Sequence, residues 1–211
     1  MIELLLVLFA SSLLYVSMTS RLETYIKVLF AQGLIMFGMV TLESSSLLSF
    51  NFFFLALETL GFKTIIIPLI LVKVVRRLGV RREVAPYTTN FNSLLISVFI
   101  LIFGFFAAYQ AIEPTETIKP LHLGVSISTL LIGLFIIMSR KKIITHILGF
   151  IILENGIFML SLSIASEMPF IVNLGVLLDI FIGIFLLVVM LNQIHSIFEE
   201  LDITQFNDSA D

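Results

Sequence analysis

The chain reads as an all-α membrane protein with seven transmembrane helices, the N-terminus outside and the C-terminus in the cytoplasm. Three observations carry this reading. Hydrophobic residues make up 59% of its 211 residues and Asp, Glu, Lys and Arg only 13%, about half the charged share of an ordinary soluble domain. The mean hydropathy is +1.13, more than a water-soluble core of this size needs. Apolar runs of spanning length recur along the chain, and the basic residues between them fall in alternate connections.

The runs are Ile2–Met18, Tyr25–Leu42, Phe50–Val75, Ser93–Ile112, Pro120–Met138, Ile143–Ile164 and Phe170–Leu191. Several are rich in Ile, Leu and Phe, but in hydrocarbon a helix alone satisfies every backbone group within its own segment. The first run follows Met1-Ile2-Glu3, which lacks the basic flank of a cleavable signal, so it is expected to stay in the membrane. The second carries Gly33 and Gly38, close-packing positions between helices. The third holds a polar cluster, Glu58, Thr59, Lys63, Thr64 and Pro68. Pro68 is expected to kink the helix and to free the Thr64 carbonyl. The fourth follows the longest connection, which is basic, and the fifth follows an acidic one, Glu113–Lys119. The sixth and seventh each carry one carboxylate near the middle, Glu154 and Asp179.

Arg21, Lys27, Lys73, Arg76, Arg77, Arg81, Arg82, Arg140, Lys141 and Lys142, 10 of the 12 basic residues, fall on one side of this alternation. That side is the cytoplasm. Glu3 and Glu43 lie at outer helix ends, and Glu113, Glu116 and Glu167 in the opposite connections. The chain divides at the acidic connection into a four-helix bundle, residues 1–112, and a three-helix part, residues 113–198. Residues 199–211 form an acidic cytoplasmic tail, read as a short solvated segment or a strand that docks a partner.

Cysteine is absent, which removes disulfides, thiolate metal sites and cysteine nucleophiles together. The three histidines, His122, His146 and His195, show no metal-ligand spacing. No phosphate loop, cofactor motif or nucleophile–base pair appears. The expectation is therefore no catalytic residue, no cofactor, no metal and no nucleic-acid partner; the surroundings are lipid.

The chemistry that remains is proton chemistry. A carboxyl at bilayer centre costs about 2.5–3.5 kcal/mol on insertion scales, so two at matching depth in adjacent antiparallel helices suggest a protonatable pair in a charge pathway. Glu154, with Asn155 beside it, enters from the cytoplasmic side and Asp179 from the outside. His146, eight residues earlier, lies about 12 Å toward the cytoplasm, where it could begin a water-linked path. The competing reading is a helix–helix hydrogen bond between neutral acids, worth about 0.6 kcal/mol. In the third helix, Glu58 and Lys63 are five residues apart, about 140° around an α-helix. They are therefore not expected to pair as i,i+4 neighbours, and each is expected to seek a partner on another helix or subunit. Lys63 lies too deep for a helix-end anchor alone, although snorkelling competes with a functional role.

The run Arg140-Lys141-Lys142, Gly149, Glu154-Asn155 and Asp179-Ile180-Phe181-Ile182-Gly183 resembles the three-helix membrane subunit of respiratory complex I, NuoK, and its relatives. Gly149 and Asn155 keep that family's spacing and Asp179 takes the place of its second glutamate. The first glutamate's usual place corresponds to Ile151, so Glu154 lies about one turn further along. With Ala56-Leu57-Glu58-Thr59-Leu60, Lys63, Pro68 and Arg76-Arg77 added, nearly the whole chain resembles component E (HyfE-like) of energy-converting nickel–iron hydrogenase and formate hydrogenlyase complexes. That resemblance implies a cofactor-free subunit of the cell inner membrane, beside antiporter-like subunits, a membrane anchor subunit and a nickel–iron hydrogenase-type peripheral arm. Glu154, Asp179, Lys63, Glu58 and His146 would then relay protons along a hydrated axis. A stand-alone cation/proton transporter and a purely structural subunit are the rivals. The four-plus-three layout argues against the inverted repeats of many transporters.

Overall fold

The computed structural model describes residues 1–44, 50–78, 87–111 and 120–163. The seventh apolar run, Asp179, His195, the acidic connection Glu113–Lys119 and the acidic tail lie outside the described residues. The described chain is helical throughout its elements: α1 (Ile2–Met18), α2 (Leu22–Glu43), α3 (Phe50–Ala56), a π-helical segment (Leu57–Ile66), α4 (Ile67–Leu78), α5 (Asn90–Ala111), α6 (Pro120–Ser139) and α7 (Ile143–Ser163). The π-helical segment joins α3 and α4 into one continuous rod, within which residues 52–76 are apolar enough to span. Among the described residues, five helices are long and apolar enough to cross a membrane, and α1, at 17 residues, is at the lower limit of spanning length. The chain is a multi-pass membrane protein.

The faces of the helices show which surroundings they meet. α5 exposes Phe91, Leu95, Phe99, Ile102, Phe103 and Phe106, a surface that would drive aggregation in water and that suits lipid. α5 touches α6 and α1 with the opposite face, where Ser93, Ser97, Gly104 and Ala108 are buried. α7 is the reverse case: most of its length is enclosed by protein, and it packs on α6 and α2.

The α6–α7 pair is the most extensive contact among the described residues, and small residues make it possible. A Cβ on Gly133 would lie 2.6 Å from the Leu153 nitrogen, and one on Gly156 2.7 Å from the Leu130 nitrogen. Neither backbone can yield, so these positions admit only glycine at this separation. The two contacts also define the antiparallel register, which sets Glu154 level with Ile132.

The junction between α6 and α7 is a bonded node. Arg140, read from the sequence as a topology signal, has its side chain inside the protein at 1% exposure. Its Nη2 donates to the Ser17 carbonyl at 2.9 Å and the Thr19 carbonyl at 3.2 Å, the bare end of α1. Its own carbonyl bonds His146 Nε2 at 2.7 Å. The Tyr87 amide donates to the Ser139 carbonyl at 3.0 Å, and Lys141 Nζ lies 4.7 Å from the centre of the Tyr87 ring.

Candidate functional site: a buried ion pair in a π-helical segment

The expectation that Glu58 and Lys63 point to different sides of their helix is overturned. It assumed an α-helical turn, but Leu57–Ile66 is wound as a π-helix, with the Ile67 amide bonded five residues back to the Phe62 carbonyl. In that winding, residues five apart fall one turn apart. Glu58, Thr59, Lys63 and Thr64 accordingly form a single buried face, while Leu57, Leu60, Phe62, Ile65 and Ile66 are turned outward. The local cause lies in the sequence. Pro68 has no N–H to offer the Thr64 carbonyl and its ring crowds that carbonyl, so an α-helical register cannot run through residue 64 undisturbed. The Thr64 hydroxyl adds a bond of the same five-residue reach, to the Thr59 carbonyl at 2.8 Å. Such segments occur often at functional sites.

Gly33 brings this face against α2. A Cβ there would meet Thr64 backbone atoms at 3.0 Å, so only glycine lets the two helices approach this closely. Lys63 is thereby driven toward α7. Its Nζ lies 3.8 Å from Glu154 Oε1, donates to Asn155 Oδ1 at 3.4 Å and sits 5.1 Å from the centre of the Phe158 ring. Lys63 is 5% exposed and Glu154 2%. The side chain therefore runs inward to a carboxylate near the midpoint of the 21-residue α7, not along the helix toward the interface.

From Asn155 a hydrogen-bonded arm continues across the bundle. Asn155 Nδ2 donates to Gln32 Oε1 at 3.1 Å, Gln32 Nε2 to Ser12 Oγ at 2.9 Å, and Ser12 Oγ to the Phe9 carbonyl at 2.6 Å. Every donor points away from Lys63 and every amide turns its oxygen toward it. The dipoles are thus aligned to favour an ammonium at Nζ. Primary amides do not exchange protons readily, so this arm orients and polarises. The titratable groups are Lys63, Glu154 and Glu58.

Of the five residues expected to act together, the structure brings Lys63 and Glu154 into contact and sets Glu58 on the buried face that carries Lys63. His146 is placed elsewhere, half-buried at the α6–α7 junction with its ring on the Arg140 carbonyl. Asp179 lies outside the described residues. Gln32 escaped the sequence reading; the available signal was a lone amide in the middle of an apolar helix. Among the described residues no group of His, Asp and Glu is placed to hold a metal ion.

Comparison with known proteins adds distant relatives. Hydrogenase-4 component E of Escherichia coli K12 is 25% identical over 142 residues, which is 67% of this chain and 65% of the relative. The same component from Shigella flexneri matches equally. An uncharacterised protein of Mycobacterium tuberculosis, Rv0085, is 24% identical over 163 residues, 74% of this chain and 71% of that protein. The matched part thus spans about two thirds of component E. No family model and no solved structure matches. The similarity supports a relationship to membrane subunits of hydrogenases.

Proposed function

We propose that the chain is a proton-translocating membrane subunit of a complex I-like, energy-converting assembly of the nickel–iron hydrogenase type. It would lie in the cell inner membrane beside antiporter-like subunits and a membrane anchor, with its basic end in the cytoplasm. The observation that carries this reading is the Lys63–Glu154 pair, buried near the middle of two helices of spanning length and 3.8 Å apart. At an effective dielectric of about 20, two unit charges at that distance attract by about 4 kcal/mol. Taking each ion out of water costs several kcal/mol. Burial therefore offsets the attraction and much of the lysine's intrinsic hold on the proton, which narrows the gap between the ion pair and the neutral pair one proton transfer away. A proton can pass either way as neighbouring charges change. A structural contact gains nothing from that balance, since an apolar pair of the same volume would hold the helices as well. The resemblance of Gly149, Glu154-Asn155 and Asp179 to the NuoK pattern adds Asp179 as the next carboxyl along the path, and the distant similarity to hydrogenase-4 component E supports the hydrogenase-type assembly.

The test replaces Glu154→Gln and Asp179→Asn, which preserve size and hydrogen bonding and remove titration. The complex is expected to assemble, and proton translocation in membrane vesicles to fall at least tenfold in each variant. Full translocation in both would end the relay reading and leave these acids as helix contacts.

A further inference from the structure

At the end of the bundle away from Arg140, the first turn of α6 meets the last turn of α2. His122 Nε2 lies 3.6 Å from Glu43 Oε1, with the histidine side chain 4% exposed and the glutamate 23%. Neither residue belongs to the cluster around Lys63. Beside them is a cavity of about 700 Å³, lined by His122 together with Glu3, Leu42 and the exposed Met1 and Tyr109. That volume admits on the order of twenty waters. Among the described residues, the titratable side chains at this end are Glu43 of α2 against the imidazole, with Glu3 of α1 and Tyr109 of α5 in the cavity lining.

A polar line runs inward from this pair. Ser126 and Thr129 follow His122 at four and seven residues, on the same face of α6, and both are fully buried. Their hydroxyls donate to the carbonyls of His122 at 2.8 Å and Val125 at 2.6 Å and keep acceptor capacity for a further donor. Leu130 faces Gly156 across the helix pair, which brings Thr129 within one turn of the level of Glu154. His122 itself is ten residues, about 15 Å, from that level. Hydroxyls and an imidazole thus lie at intervals along one face of α6 between the level of the cavity and that of the buried ion pair.

We propose that His122 and Glu43 form a proton-exchange site at this end of the subunit, through which the Lys63–Glu154 pair trades protons with the cavity. Histidine suits the position because its charge changes between about pH 5 and 8, so it can both take and release a proton near neutrality. Glu43, only partly enclosed, reaches water and can hand protons to the ring. The ligand class is the proton. The inference rests on the relay reading and extends it to one surface.

Two measurements test it. In the full chain labelled with 15N-histidine, with His146→Gln and His195→Gln for assignment, the His122 ring should titrate between about pH 5 and 8. Its midpoint should move when Glu43→Gln is introduced. A ring that does not titrate in that window, or a midpoint indifferent to Glu43→Gln, overturns the proposal without any demand on activity. In the assembled complex, His122→Gln and Glu43→Gln should each lower translocation about tenfold and flatten its dependence on the pH at this face. If Glu154→Gln abolishes translocation while both outer variants keep the normal rate and profile, the exchange site is wrong and the relay stands. If Glu154→Gln is itself silent, the relay fails and takes the exchange site with it.

Discussion

Lys63 illustrates how a single residue can separate two explanations. A lysine that only anchors a helix end is replaceable by arginine, which reaches the interface equally well. A lysine that must lose its proton is not, because arginine stays charged at all physiological pH values. The contact with Glu154 at 3.8 Å, at 5% exposure, is the geometry that the second class, and so the proposed relay, requires. Lys63→Arg is therefore expected to leave coupling as impaired as Lys63→Met does, by at least tenfold in proton translocation, with the complex assembled. Near-normal translocation in Lys63→Arg would remove this residue from the path. Gln32 offers a subtler contrast. Gln32→Leu withdraws the acceptor from Asn155 Nδ2, leaving a buried donor unmet at a cost of about 1–3 kcal/mol. Translocation should drop several-fold in Gln32→Leu; a normal rate would mean that the amide arm does not act through Asn155.

At the scale of the element, the π-helical segment decides which residues meet, and its contact with α2 depends on one glycine. Gly33→Ala introduces a Cβ 3.0 Å from Thr64 Cα, a backbone atom that cannot swing aside. The two helices must separate, at a cost of about 1–3 kcal/mol typical of overpacking. Gly38→Ala on the same helix meets only the end of the Leu5 side chain at 3.3 Å, which can move. Thermal unfolding in detergent should therefore drop by several degrees for Gly33→Ala and hardly change for Gly38→Ala, with translocation lowered only in the former. Comparable melting temperatures would show that the close approach is not what positions Lys63. The same element marks where sequence reasoning ran out. Six of the seven expected apolar runs fall on described residues apart from Ile112 and Ile164, and their described parts are helical, as a single segment in hydrocarbon must be to satisfy its own backbone. Helix ends were less legible: α2 begins at Leu22, three residues before its apolar run, since Glu23 is tolerated in a first turn. The face that Glu58 and Lys63 share was illegible because an angular count presumes 3.6 residues per turn, and the proline that announced a kink did not reveal a change of winding. Arg140 was hidden for another reason. Its neighbours Lys141 and Lys142 read as a loop charge, and nothing in the sequence says that one guanidinium of three cations turns inward to cap α1.

For the whole molecule, the helix order sorts charge to the two ends of the bundle. The ends of α1, α4 and α6 and the starts of α2, α5 and α7 share one end, with Arg21, Lys27, Lys73, Arg76, Lys141 and Lys142 at or near it. Glu3, Glu43 and His122 lie at the other. An excess of Lys and Arg marks the cytoplasmic side of a bilayer, so the His122 cavity should open outward and the Arg140 node inward. The absence of cysteine makes this directly measurable, since each introduced thiol is the sole site of labelling. Glu116→Cys and Lys141→Cys are the informative pair because α6, 20 residues and about 30 Å long, is the one helix between them. If α6 crosses the bilayer, a membrane-impermeant maleimide must reach Glu116→Cys from the outside and Lys141→Cys from the cytoplasm alone. Arg81→Cys, two helices before Lys141, should then label from the cytoplasm as well. Labelling of Glu116→Cys and Lys141→Cys from the same face would mean that α6 does not span, and with it the proton route from the His122 cavity to Glu154 would lose the membrane it is meant to cross.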